Sequence, residues 1–312
     1  MEHLRSSLAI ALIGARVVRA SLRRRDMLDT TAYGKRKPLR DCLLEGGRIT
    51  SIERHGKQMA LVADDGRCLV IHLGMSGQVL IERSATRPVE KTTHRHAVWL
   101  IDPRDSGSAG SAGSAGPAGP GKPNRRVGAE PQRVVFRDPR RFGGLWALPD
   151  QSTLRARWEQ LGPDSLEASP AHIAAAIGSA KRRAVKAALD QAVIAGVGNI
   201  YADEALHRAG IHPEHPAGSL TLSQVTQLSK AIQLTLREAI ASGGSSLRDY
   251  VDADNRAGQF QTLHRVYGRA GLPCPVCATT LSVAAIAGRT TVFCQRCQPL
   301  VHISPGGPSR SR

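Results

Sequence analysis

The chain has 312 residues, with 43 Lys or Arg against 26 Asp or Glu for a net charge of +17 and a pI near 10.5. That length accommodates two domains with separate cores, and the charge favours a polyanionic partner, nucleic acid ahead of a membrane surface. No apolar run approaches the roughly 20 residues of a membrane span, residues 8–13 are too short and wrongly flanked for a signal peptide, and four of the six cysteines share one cluster, the usage of a metal site in a reducing compartment.

In chain order, residues 2–14 read as a helix with Leu4, Leu8 and Leu12 on one face and Gly14 as its stop. Val17 to Ala20 is a predicted strand, and Arg23 to Arg40 is polar, basic and loop-like. From Ile49 to Glu82, short apolar alternations punctuated by Gly56, Asp64-Asp65-Gly66 and Gly74 predict an antiparallel sheet. His96 to Ile101 and Arg133 to Phe136 are two more strands. Between them, residues 106–130 are Ser-Gly-Ala repeats turning Pro- and Lys/Arg-rich, a composition that cannot bury a core and reads as a flexible hairpin insertion. Its basic end, Lys122 to Arg126, fits a passive tether better than a DNA contact. After Trp146 helices take over, at Asp150–Trp158, Pro170–Ala180 and Ser223–Ala241, the last ended by Gly243-Gly244. Ser245 to Gln261 reads as polar and mobile, Val266 to Gln298 as the last ordered unit, and 299–312 as a disordered tail.

Three stretches carry chemistry. Ile194 to Glu204 is a glycine-rich turn feeding a helix: Gly196 and Gly198 permit close backbone approach, and Asn199 is placed to cap a helix beginning at Ile200. The N–H groups at such an end attract an anion, phosphate being the commonest, and Lys181-Arg182-Arg183 with Lys186 lie just upstream. The same residues also fit a tight helix–helix turn with a solvated basic face. Cys274-Pro-Val-Cys277 and Cys294-Gln-Arg-Cys297, sixteen residues apart, place four thiolates around one structural Zn²⁺ with no open coordination position. Finally, Ile71-His72-Leu73-Gly74-Met75-Ser76-Gly77 is a strand–turn that leaves Met75 projecting, although a lone Met is more often core. Asp138-Pro139-Arg140-Arg141-Phe142-Gly143 is a second loop with two cations beside an aromatic.

Val197-Gly198-Asn199-Ile200-Tyr201-Ala202, followed by Ala209-Gly210-Ile211-His212-Pro213, resembles the helix–two-turn–helix of the bacterial formamidopyrimidine-DNA glycosylases, the Fpg/Nei family. The similarity runs from about residue 2 to residue 298, broken by the 106–130 insertion where the family has a short turn. It implies an α+β multidomain chain: an N-terminal β-sandwich with one helix at 1–148, a helical helix–two-turn–helix domain at 149–262, and a C-terminal zinc ribbon at 263–298. The implied partner is double-stranded DNA containing a damaged base or an abasic site, gripped by a monomer in the cytoplasm at the nucleoid. Extruding a base costs a few kcal/mol, which an apolar wedge and a void-filling arginine offset. The resemblance gives that task to Met75, Arg140 and Phe142. His94, Lys181, Lys186 and Asn199 match strand-gripping positions. Lys57 matches a proton donor in the first elimination, and Arg289, five residues before the third ribbon cysteine, matches an arginine that assists the second.

The family's chemistry begins with an N-terminal proline amine that attacks the deoxyribose C1′ and expels the base, with an adjacent glutamate handling protons. The opening Pro-Glu is absent here. Met1-Glu2-His3-Leu4-Arg5 aligns several residues further on, where the first helix begins, so the primary amine of Met1 is out of register and is not assigned the role. Either the true start lies a few codons upstream, or the protein binds lesions without cutting them. The joint presence of Lys57, Met75, Arg140, Phe142 and Arg289 favours the first. The expectation is a base-excision DNA glycosylase/AP lyase that removes oxidised purines from duplex DNA and nicks the strand, the alternative being an inactive damaged-DNA-binding protein of the same fold. A general zinc-ribbon nucleic-acid binder explains the charge and the cysteines but neither DPRRFG nor GVGNIYA.

Overall fold

A computed structural model describes residues 1–35, 37–83, 93–102, 131–180, 183–246 and 250–300. The expected insertion at 106–130, Lys181 and the tail beyond residue 300 lie outside the described residues. The chain divides into two compact units, Met1–Glu159 with Ser242–Gln259, and Gln160–Ala241 with Phe260–Arg312. No helix among the described residues is long and apolar enough to cross a membrane.

The first unit opens with α1 (Glu2–Leu12), then β1 (Arg16–Leu22), β2 (Leu28–Asp29) and the short α2 (Leu39–Cys42). The strands β3 (Ile49–His55), β4 (Gln58–Ala63), β5 (Cys68–His72) and β6 (Gln78–Glu82) follow, then β7 (Arg95–Asp102), β8 (Gln132–Arg137), β9 (Gly144–Leu148) and α3 (Gln151–Trp158). Two sheets form, in strand orders β1-β7-β8-β6 and β2-β9-β5-β4-β3. Alternation along β4 and β5 sends Met59, Leu61, Leu69 and Ile71 into one core with Trp99, Ile101 and Phe136 of the facing sheet. The opposite face of the same strands, Ala60, Val62 and Val70, packs with Leu148 and Leu154 beneath α3. Leu4, Leu8 and Leu12, one face of α1, are fully buried in the larger core. This is the expected sandwich with one helix, and α1 ends at Leu12 with Gly14 at φ +88°.

Two features depart from expectation. The sequence reading assigns no strand after Phe136, yet β9 pairs with β5 from Cys68↔Leu148 to His72↔Gly144. Ser245–Gln261 is read from sequence as a polar, mobile part of a helical domain at 149–262, whereas Ser242–Gln259 groups with the first unit, as does α3. Its Ala253 carbonyl accepts from Ile81 N–H of β6 at 2.8 Å. Asp252 Oδ1 accepts from the N–H groups of Asp254 (3.0 Å) and Arg256 (2.8 Å).

The second unit contains α4 (Pro170–Ser179), α5 (Val185–Ala188), α6 (Asn199–Ala209), α7 (Leu222–Ala241) and the hairpin β10 (Ser282–Ile286)–β11 (Arg289–Phe293). Ile173, Ile177, Leu206, Leu228 and Ile232 of α4, α6 and α7 share one core. Ser169 caps α4 with Pro170 in its first turn, and Gly210, at φ +66°, closes α6. Ala287 and Gly288, both at positive φ, form the two-residue turn between β10 and β11.

Candidate nucleic-acid interface

In the first unit the two loops singled out by sequence meet. Gly77 N–H donates to the Leu73 carbonyl at 2.8 Å, closing a tight turn whose Gly74 sits at φ +61°. A Cβ on Gly74 would lie 2.4 Å from the Phe142 carbonyl carbon, so only glycine permits this approach. The turn leaves Met75 66% exposed and the facing loop leaves Phe142 57% exposed; neither is core packing. The Arg140 guanidinium lies over the Phe142 ring, 5.7 Å from its centroid.

Asp138, fully buried, locks the two loops together. One carboxylate oxygen accepts from the Ser76 hydroxyl at 2.5 Å and the other from Gly143 N–H at 2.7 Å. Ser76 Oγ in turn accepts from Arg140 N–H at 3.2 Å, and the Asp138 carbonyl bonds His96 Nε2 at 2.8 Å. The sequence reading quoted Asp138 without giving it a task; its signal was an acid opening a loop of cations. His94, at the start of β7, is held at φ +62° and exposed.

Lys57 lies on the turn joining β3 and β4. Burial lowers the pKa of His72, with the Lys57 charge adding to the drop. Glu2 accepts from Arg5 Nη2 at 2.6 Å and from Arg54 Nε at 2.7 Å. Despite burial, these bonds hold its carboxyl below the ordinary range.

In the second unit the expected cap is corrected. Gly198 occupies the N-cap position and Asn199 is the first helical residue of α6, with no side-chain cap. Its amide donates instead to the Thr290 carbonyl of β11 at 3.1 Å. Glycine at the cap frees the asparagine side chain to reach the hairpin. Lys186, buried, donates to the Asn199 carbonyl at 3.2 Å and to Asp203 Oδ1, and Asp203 Oδ2 accepts from Val292 N–H at 3.1 Å. Asp203 therefore joins α5, α6 and the hairpin carrying Arg289. Burial lowers the Lys186 pKa; Asp203 opposes the drop and the nearby Arg289 charge adds to it. The sequence reading gives Asp203 no role; its only signal is an acid between Ala202 and Glu204 in the first turns of α6. Gln191, also missed, ties the glycine-rich turn through Gly196 N–H (2.9 Å) and the Val197 carbonyl (2.7 Å).

The Sγ atoms of Cys274, Cys277, Cys294 and Cys297 all lie within 4.8 Å of one another. Separations of 3.9 Å (Cys274–Cys297) and 3.5 Å (Cys277–Cys294 and Cys277–Cys297) approach the edge of a tetrahedron with Zn–S near 2.3 Å, about 3.8 Å. Val276 N–H points at Cys274 Sγ and Cys297 N–H at Cys294 Sγ, each at 3.5 Å, the support thiolate ligands need. The donor set fits one Zn²⁺. Glu204 of α6 anchors the approach to this ribbon by accepting from the N–H groups of Arg265, Val266 and Tyr267 at 2.8–3.0 Å.

Comparison with known proteins covers the whole arrangement. Residues 1–145 match the formamidopyrimidine-DNA glycosylase N-terminal domain, 161–251 the formamidopyrimidine-DNA glycosylase H2TH domain, and 271–300 the zinc finger found in FPG and IleRS. The chain is 40% identical over 310 residues to the formamidopyrimidine-DNA glycosylase of Thermomicrobium roseum, covering 96% of this chain and 98% of that one. It is 38% identical to the formamidopyrimidine-DNA glycosylase of Methylobacterium radiotolerans, at 96% and 97% coverage. The crystal structure of the MutM (Fpg) protein of Thermus thermophilus is similar at 33% identity with a TM-score of 0.73, covering 95% of this chain and 96% of that one. The Lactococcus lactis Fpg bound to DNA containing an abasic site is similar at 26% identity with a TM-score of 0.76, covering 96% and 98%.

Proposed function

The chain belongs to the formamidopyrimidine-DNA glycosylase family, and we infer that it is a base-excision repair glycosylase/AP lyase that removes oxidised purines from duplex DNA and nicks the strand. The observation that carries this reading is the Asp138 clamp, which presents an exposed Met75 beside an exposed Arg140–Phe142 pair. An apolar wedge and a cation, both held from behind, are what an extruded base leaves room for.

Met75 and Phe142 enter the stack and Arg140 fills the vacancy opposite the unpaired base. His94 and Asn199 hold backbone phosphates, and Lys186, expected among them, instead fixes the Asn199 turn from behind through the Asn199 carbonyl and Asp203. An amine attacks C1′ as the C1′–N bond to the base breaks and the base leaves with a proton; loss of the amine proton and opening of the C1′–O4′ bond, whose oxygen is protonated, give the Schiff base, after which loss of a C2′ proton eliminates the 3′-phosphate. Lys57 serves as proton donor in that elimination and Arg289 assists the second. Zn²⁺ at the four cysteines is structural, holding the hairpin that presents Arg289. The substrate places the enzyme in the cytoplasm, at the nucleoid.

The test is borohydride trapping of the protein, purified from its own source, on a duplex with an abasic site or 8-oxoguanine, together with its intact N-terminal mass. A covalent adduct whose peptide map locates the linked amine supports the reading. Tight binding to the abasic duplex with neither adduct nor nick would replace it with the lesion-binding alternative.

A further inference from the structure

The basic run Arg23-Arg24-Arg25 has no part in the reading above. It leads away from the end of β1, where Arg23 N–H donates to the His96 carbonyl of β7 at 2.8 Å. Beside it opens a cavity of about 450 Å³ lined by Arg23, Arg24, His94, Arg95, His96 and Arg141, with Pro139 completing the wall. Among the described residues no carboxylate lines it. Two carboxylates stand nearby: Asp26 takes Arg24 at 3.0 Å and Arg141 more loosely at 3.7 Å, and Glu82 takes Arg95. Four guanidiniums thus answer to two carboxylates, leaving an excess of positive charge facing the cavity. Two walls are set by residues in the left-handed region, His94 at φ +62° and Arg141 at φ +57°, a conformation that L side chains adopt at a cost and that collects at binding sites.

We propose that this cavity is a phosphate subsite for the DNA backbone, gripped by Arg23, Arg24 and Arg141 in addition to His94. It rests on the function inferred above. Apart from the His94 and His96 rings and one proline the lining is guanidinium, so a phosphodiester suits it better than a base. Arg141 belongs to the loop that carries Arg140 and Phe142, so a phosphate held here fixes the backbone next to the wedge. Guanidinium forks match phosphate oxygens in pairs.

The test is a methylphosphonate walk along a duplex containing a tetrahydrofuran abasic analogue, with binding measured for wild type, Arg23→Ala, Arg141→Ala and Arg155→Ala. Arg155 is an exposed arginine of α3 that does not line the cavity. Neutralising one particular phosphate should weaken wild type about tenfold, the lower end for a charge-assisted bond. In the Arg23 and Arg141 variants that penalty should vanish while penalties elsewhere persist, and the salt slope should fall by about 1. Arg155→Ala should keep the wild-type pattern. Arg23→Lys should restore part of the penalty, and equal melting temperatures would exclude misfolding. An unchanged walk in both Ala variants overturns the subsite, as does competition by inorganic phosphate at constant ionic strength with no change in the walk. If wild type fails to prefer the abasic duplex over intact DNA, the functional reading falls, and the same walk on intact DNA still decides the subsite.

Discussion

At the scale of single residues, the site depends on buried acids more than on the exposed groups they position. Asp138 satisfies the Ser76 hydroxyl and the Gly143 N–H at once, so its removal strands one buried and one half-buried donor. Asp138→Ala should lower stability by roughly 2–4 kcal/mol, the cost of two unsatisfied groups, read from urea midpoints; Asp138→Asn should lose less. Glu2 makes a second case. Its pKa is depressed by Arg5 and Arg54, so its stabilisation is full above the unfolded value near about 4.3 and fades as pH falls through the folded one. Glu2→Gln should therefore be less stable than wild type at pH 7, and the gap should close on acidification. A gap that stays constant from neutral pH to below pH 4 would remove the ion-pair explanation.

At the scale of elements, the Met75 turn and the 138–143 loop approach until backbone meets backbone. Gly74 stands at φ +61°, with a would-be Cβ 2.4 Å from the Phe142 carbonyl carbon, so Gly74→Ala combines backbone strain with a clash that no rotamer relieves. It should cost more than about 1 kcal/mol and weaken abasic-DNA binding, whereas Gly66→Ala, with nothing within 4 Å of its Cβ position, should show strain alone and keep binding. Equal binding losses in both variants would disconnect the close approach from DNA recognition. The same scale explains β9: Gly144-Leu-Trp-Ala-Leu148 begins with glycine and does not alternate, yet it is a central strand covered on both faces.

For the whole molecule, charge and metal set the terms. A net charge of +17 makes binding to any DNA strongly salt-dependent, so lesion preference should be compared at one ionic strength. Zinc analysis should find one ion per chain. Its removal by a strong chelator, or Cys297→Ser, should abolish DNA binding while the β-rich first unit keeps its own unfolding transition, since the four ribbon cysteines lie in the second. Full DNA binding by a zinc-free protein would overturn the structural role given to the ribbon.

Much of this was legible in the sequence because it is coded over short spans. Two Cys-x-x-Cys pairs declare a zinc ribbon by spacing alone, short apolar stretches mark β7 and β8 to within a residue of their ends, and Leu4, Leu8 and Leu12 mark the buried face of α1. Glycine-rich motifs placed the loops that carry Met75, Arg140 and Phe142. What only the tertiary structure decided are partnerships across long separations: Asp138 with Ser76, Asp203 with Val292, Asn199 with Thr290, and Ser242–Gln259 with the first unit. A short-range pattern states which face of an element is apolar, but a buried carboxylate finds its donors only once packing has brought distant backbone to it. The same holds for the arginine-lined cavity, whose charges come from three separate stretches of chain and meet only where β1, β7 and the Asp138 loop end together.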